Sequence, residues 1–354
     1  AATGAPGDAD QAAVAGYLAA TLGVEPAAIL CLSTGVIGTR LPLEKVAVGV
    51  ADLVPALEAS DAGLEAAALA LRTTDSRTKA ATVGVSLPGV DGRAVAVRVS
   101  GIAKGVGMIH PRMATMLAVV LTDATVEPAT LHALLRPAVA RTWDQLTVDG
   151  DTSTNDTVFL LAAGAARSAP VAAGTPEAAA LGRGVEAVAR DLARQQAADG
   201  EGASTLITCG VSGALDDAEA RAVARAVVAS SLVKAAIHGR DPNWGRIVAA
   251  AGNAHLADAE ILIAGGLPAL EAHDRAGRPA TVDPDRLRVA IAGQLVFDGA
   301  AGGPVVFDRA AAREALETPE VLIRLDLGLG GGTGEAFGCD LSEEYVRENS
   351  EYTT

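Results

Sequence analysis

The sequence predicts a mixed α/β fold, α+β in its ordering, and three observations carry that prediction. Ala-rich segments with helical spacing alternate along the chain with short Val/Ile/Leu runs of strand character. One pair of such runs flanks a "PGVDG" turn, the mark of a hairpin. Half of the 354 residues are apolar or aromatic, enough for a sizeable core in one large domain or a few ordinary ones.

In chain order, helices are expected over Gln11–Leu22 and Ser60–Leu71, the second opening on a serine able to cap it. Thr82–Leu87 and Ala94–Ser100 alternate small or polar residues with Val and form the hairpin. Met116–Thr122 is an aliphatic strand entered from a loop rich in Gly and Pro. Thr130–Trp143 reads as helix, Val158–Ala162 as strand, Gly184–Ala198 as helix, Leu206–Val211 as strand and Asp217–Val228 as helix. Leu287–Val296 and Val321–Leu327 are the last expected strands. The breaker-rich stretches Arg167–Gly182 and Glu271–Arg286 read as linkers or surface excursions. Gly328–Gly334, "GLGGGTG", lies between strand-like segments without a following Lys-Ser/Thr, so it reads as a hairpin turn rather than a phosphate loop.

Charge and cysteine usage narrow the function. A net charge of -15 and a pI near 4.8 oppose nucleic acid or an anionic membrane surface as partner, because both would repel the chain. Small-molecule chemistry is the expectation. Cys31, Cys209 and Cys339 are far apart and show no CxxC spacing, which argues against a disulfide framework or a thiolate metal site and fits a reducing cytoplasm. No apolar run reaches the length of a membrane span, and the first residues lack the basic and apolar segments of a signal peptide.

Two polar clusters have both structural and chemical readings. "DGDTSTNDTV" (Asp149–Val158) offers Asp149, Asp151 and Asn155 as oxygen donors but lacks the closing bidentate Glu of a calcium loop, so a capped turn is favoured over a metal site. "HGRDPNWGR" (His238–Arg246) is either a structured loop with ion pairs or a carboxylate site using Arg240 or Arg246. His110, alone in its loop, reads as structural. Thr115 stands where the loop "KGVGMIHPRMA" enters the strand; taken alone it is an ordinary β-branched strand residue.

Seven motifs in order change that reading: "STGVIG", "TTD", "AKGVGMIHPRMATML", "DGDTSTNDT", "DGEGA", "HGRDPNWGR" and "GCDLSEEYVRENSEYTT". Together they span Ala1 to Thr354, and the chain resembles the ornithine acetyltransferase (glutamate N-acetyltransferase) family. The resemblance implies αββα-like layers with smaller α/β domains, and self-cleavage between Ala114 and Thr115. It therefore implies an α chain of residues 1–114, with its N-terminal part truncated relative to relatives, and a β chain of residues 115–354, assembled as α2β2. No cofactor and no metal are implied.

The implied reaction is a double displacement. Thr115 Oγ takes the acetyl group of N-acetylornithine, releases ornithine and passes the acetyl to glutamate. The α-amine freed at Thr115 has a reference pKa of about 7.7–8.0, low enough to serve as base to its own hydroxyl. Thr34 and Gly35 of "STG" would hold the oxyanion. Substrate contacts are expected from Thr73 and Thr74, Lys104, Thr115, Glu201, Asn349 and Thr354, with Lys104 suited to a carboxylate and Glu201 to an amine. Two rival readings use the same nucleophile: a relative in specialised metabolism acting on another N-acyl amino acid, and an N-terminal-threonine hydrolase or aminopeptidase.

Overall fold

Two sheets, each backed by its own helices, organise the protein; the structure, a computed structural model, describes residues 1–110 and 116–351. The chain opens with helices α1 (Ala5–Leu22), α2 (Leu43–Leu53) and α3 (Asp61–Leu71). Ser60 caps α3 as expected, its hydroxyl accepting from Gly63 N–H at 3.0 Å. β1 (Lys79–Pro88) and β2 (Ala94–Lys104) then form the antiparallel hairpin. β3 (Leu117–Thr122) adds antiparallel to β2, α4 (Pro128–Arg141) crosses over, and β4 (Thr157–Ala162) adds parallel to β3. The first sheet thus has the order β1-β2-β3-β4.

Helix α5 (Pro176–Ala198) packs its apolar stripe on this sheet, and Leu181, Val185, Val188 and Leu192 share one core with Val97, Val99 and Val120. Close approach depends on a helical glycine: a methyl at Gly184 would stand 2.6 Å from Val85 Cγ2. This helix also begins inside the expected linker Arg167–Gly182. Thr175 accepts from Ala178 N–H at 3.2 Å, and Pro176 stands at the helix start, where its missing N–H costs nothing. The Thr-Pro pair marks a helix start there, not a linker.

The second sheet begins with β5 (Leu206–Ala214), followed by α6 (Asp217–Ala229), α7 (Ser231–His238), α8 (Trp244–Gly252), α9 (Ala259–Ala264) and α10 (Ala269–Arg275). The last of these occupies the start of the expected excursion Glu271–Arg286. Next come β6 (Arg288–Ile291), β7 (Gln294–Asp298), β8 (Gly303–Pro304), α11 (Arg309–Ala315), β9 (Glu320–Asp326), β10 (Gly332–Cys339) and α12 (Glu343–Glu351), giving the order β10-β5-β9-β6-β7-β8. Parallel and antiparallel pairs coexist, and the fold is mixed α+β as predicted. Val321, Ile323 and Leu325 point from β9 into a core shared with Val223 and Val227 of α6.

Two local expectations fail for identifiable reasons. Leu287–Val296 is not one strand but the hairpin β6/β7, because Ala292 (φ 47°) and Gly293 (φ 84°) adopt the left-handed geometry of a tight turn. Gly328–Gly334 is not a hairpin turn, because β9 and β10 lie on opposite sides of β5. The loop steps over the end of β5, where Leu329 and Gly330 N–H both donate to Gly213 O, at 2.7 and 2.9 Å.

Candidate active site

A cavity of about 410 Å3 opens where the end of β2, the loop after it, the turn following α5, the N-terminal segment and α12 converge. Its volume suits a small metabolite. Thr34, Gly35, Thr73, Thr74, Lys104, Glu201 and Asn349 all line it. Residues up to 315 apart in sequence therefore line one cavity. The remaining candidates, Ala114, Thr115 and Thr354, lie outside the described residues.

Glu201 is the organising carboxylate. Thr74 Oγ1 donates to its Oε1 at 3.1 Å and Asn349 Nδ2 to its Oε2 at 3.0 Å, so three distant motifs meet on one side chain. Its backbone N–H donates to Val106 O at 2.8 Å, which fastens the turn after α5 to the loop after β2. Gly107 is the residue that lets the carboxylate approach: a methyl there would fall 2.2 Å from Glu201 Oε2.

Lys104 ends β2, is 2 % exposed and pairs across the sheet with Leu117, the second residue after Thr115. Burial pulls its ammonium below the ordinary lysine value, and Lys79 adds to this, while Asp75, Asp156 and Glu201 oppose it. Beneath it lies a network the sequence reading missed. Lys79 Nζ, fully buried, donates to Asp75 Oδ1 at 2.6 Å and to Asp199 Oδ2 at 2.5 Å. Asp75 also accepts from Gly105 N–H at 2.9 Å and Thr73 N–H at 3.3 Å. Burial raises the Asp75 carboxyl, but Lys79 and these N–H groups outweigh it and hold the acid below its usual value. The "TTD" and "DGEGA" motifs contain both aspartates; nothing local in the sequence points to Lys79, which lies on an alternating strand.

The Asp-rich turn before β4 has a structural job. Asp149 accepts from Met108 N–H (2.6 Å), Ile109 N–H (3.0 Å) and Asp151 N–H (3.1 Å), so its oxygens hold the loop after β2. Asn155 Nδ2 donates to Ser33 O at 3.1 Å and tethers the "STG" segment beside the cavity. Tyr345 of α12 also lines the cavity, its phenol pushed up to about 12 by burial and by Asp149, Asp151 and Glu201. His110 bonds Thr147 Oγ1 through Nδ1 at 3.1 Å.

"HGRDPNWGR" does not reach this cavity. Arg240 pairs with Glu317 at 2.8 Å, Arg246 donates to Leu232 O at 2.7 Å, and Asn243 caps α8 by accepting from Arg246 N–H. The structured-loop reading is the one that holds, and Arg240 and Arg246 are not the cavity's carboxylate partners. A larger cleft of about 630 Å3 lies between α5 and the second sheet, but it contains ion pairs (Arg141–Glu186, Arg194–Glu320) and none of the motif residues.

A site of metabolite size, walled by threonine hydroxyls, one buried ammonium and the hydrogen-bonded carboxylates of Asp149 and Glu201, defines an enzyme acting on a small charged molecule. Residues 1–354 match the ArgJ family. The "Arginine biosynthesis bifunctional protein ArgJ" of Deinococcus radiodurans is 44% identical over 354 residues, covering 100% of this chain and 79% of its own. The Thermus thermophilus protein of that name is 43% identical over 355 residues, covering 100% and 80%. A crystal structure of arginine biosynthesis bifunctional protein ArgJ from Bacillus halodurans superposes with a TM-score of 0.56 at 36% identity, covering 66% of this chain and 98% of that one. The chain belongs to the ArgJ family, the family its motifs resemble. Among the described residues, no helix is long and apolar enough to cross a membrane.

Proposed function

We propose that this chain transfers an acetyl group from N-acetylornithine to glutamate through an acetyl ester on Thr115, as an enzyme of arginine biosynthesis. The convergence of Thr34, Gly35, Thr74, Lys104, Glu201 and Asn349 on one cavity carries this reading. In it, the substrate carboxylate meets the Lys104 ammonium and a substrate amine meets Glu201, a division of charge that suits an amino acid in an acidic protein. Thr115 Oγ attacks the acetyl carbonyl, its proton passes to the Thr115 α-amine, and the tetrahedral oxyanion is held by the Thr34 hydroxyl and the Gly35 N–H. Collapse expels ornithine, which takes the proton. Glutamate then repeats the steps in reverse order.

The same proposal includes scission of Ala114–Thr115, giving fragments 1–114 and 115–354, assembly as α2β2, and a cytoplasmic location. Incubation with N-acetylornithine alone, followed by intact mass analysis, should add one acetyl to the fragment beginning at Thr115, and glutamate should remove it. Clearance by a different amine but not by glutamate would reject the acceptor. Transfer without any acetylated fragment under rapid quench would reject the double displacement.

A further inference from the structure

In a chain of net charge -15, five arginines line the cleft of about 630 Å3 between α5 and the second sheet. Three of them are matched: Arg141 pairs with Glu186 at 2.6 Å, Arg194 with Glu320 at 2.7 Å, and Arg190 with Glu335. The remaining acid of the lining, Asp217, accepts Thr333 N–H at 2.8 Å. Arg221 and Arg324 therefore line the cleft with no ion-pair partner among the described residues.

The cleft is shaped as well as charged. Arg324, Gly210 and Glu335 form one row across β9, β5 and β10. Neighbouring strands lie about 4.8 Å apart, so Arg324 and Glu335 rise about 10 Å apart with bare backbone between them. A methyl at Gly210 would meet nothing within 4 Å, which makes this floor open space. Thr208, next on the same face of β5, closes one end: its Oγ1 donates to Glu320 Oε1 at 2.8 Å and accepts from Arg194 at 2.9 Å. Arg221 arrives from α6, on the other face of the sheet. It passes edge strand β10 at Gly334, where a methyl would fall 2.6 Å from Arg221 N and 2.9 Å from its Cγ. Arg221 is 7 % exposed, and its side-chain hydrogen bond among the described residues is a long one, to Gly265 O at 3.5 Å. Burial pulls the guanidinium below the ordinary arginine value; Asp217, Asp216 and Glu186 oppose that and Arg141 adds to it, yet the group stays charged. A buried cation with five N–H donors and one distant acceptor is under-satisfied, and an anion would satisfy it.

We propose that this cleft is a second binding site, apart from the cavity of Thr34 and Glu201, for a small multivalent oxyanion whose carboxylate or phosphate groups engage Arg221 on one flank and Arg324 on the other, above Gly210. The three matched pairs hold the walls, and the two unmatched guanidiniums take the ligand. A guanidinium fork suits either kind of oxyanion.

The test titrates the full chain calorimetrically with sodium pyrophosphate and, separately, with sodium citrate, at an ionic strength held constant with sodium chloride. At least one probe should saturate at one equivalent per chain, with a dissociation constant below about 1 mM. Binding of pyrophosphate alone assigns phosphate groups to the site, binding of citrate alone assigns carboxylates, and binding of both assigns their shared charge. Arg324→Gln removes one guanidinium at an exposed position. Gly210→Val fills the floor with every charge in place; Gly210 has no positive φ, and a β-branched residue suits a strand. Each should weaken binding at least about tenfold. Arg221→Lys keeps the charge, loses the fork and should weaken binding too; if that buried change prevents folding, the other two variants decide. Absence of binding in this range by both probes would overturn the inference, as would undiminished affinity in either R324Q or G210V.

Discussion

Replacing Gly107 with alanine should damage the site and spare the fold. The added methyl would stand 2.2 Å from Glu201 Oε2, 2.4 Å from Cδ and 2.6 Å from Oε1. Gly107 is not among the residues of positive φ, so alanine brings no backbone strain. Ordinary contact requires the carboxylate to retreat by about 1 Å, which a glutamate end can do at little cost to stability. That retreat takes it from Thr74 Oγ1 and Asn349 Nδ2, at 3.1 and 3.0 Å, and from any substrate amine it holds. A misplacement of this size costs about 10²-fold in rate, or about 2.7 kcal/mol of transition-state binding. Initial rates with N-acetylornithine and glutamate should show that fall in kcat/KM, while the melting temperature moves by only a few degrees. Wild-type kcat/KM in G107A, with the fold intact, would refute the assignment of Glu201 as the substrate's amine partner.

Thr34→Ala should lower turnover by about two to three powers of ten if its hydroxyl holds the oxyanion, and Thr34→Ser should retain more; equal rates in steady-state assays would remove Thr34 from the mechanism. Lys79→Met leaves the buried Asp75 carboxylate without its ion-pair partner and Asp199 with Arg77 alone, 3.8 Å away, and should destabilise by about 3–5 kcal/mol, read as a lowered midpoint in urea. Because Asp75 is held below its unfolded value, its stabilisation is present above about pH 4 and lost as pH falls through the folded value, and acid titration of wild type against Asp75→Asn should show this. If the chain is cut at Ala114–Thr115 as proposed, the two fragments should run as one species under native conditions, because β2 and β3, on either side of that bond, pair from Val99–Thr122 to Lys104–Leu117; fragments that part on a native sizing column would contradict this.

Local chemistry made much of the fold legible. Ser60 announced α3 by its hydroxyl, and "PGVDG" announced the β1/β2 hairpin, since capping and tight turning are settled within four residues. The same locality misled at Thr175-Pro176, where a helix start reads as a linker, and at Ala292-Gly293, where a two-residue turn hides in an apolar run. Gly328–Gly334 could not be placed from sequence, because whether two strands pair or flank a third is decided by where β5 inserts.

The sequence by itself determined the family and the net acidic charge, because seven short motifs keep their identity and order however the chain is folded. Tertiary structure alone decided which of their charges face one another. It turned Arg240 and Arg246 away into their own loop and used Asp149 to clamp backbone N–H groups. It also buried Lys79 between Asp75 and Asp199. Those outcomes depend on burial and on contacts between residues far apart in the chain. Desolvation and hydrogen-bond satisfaction are properties of the packed interior, and no spacing along a sequence encodes them.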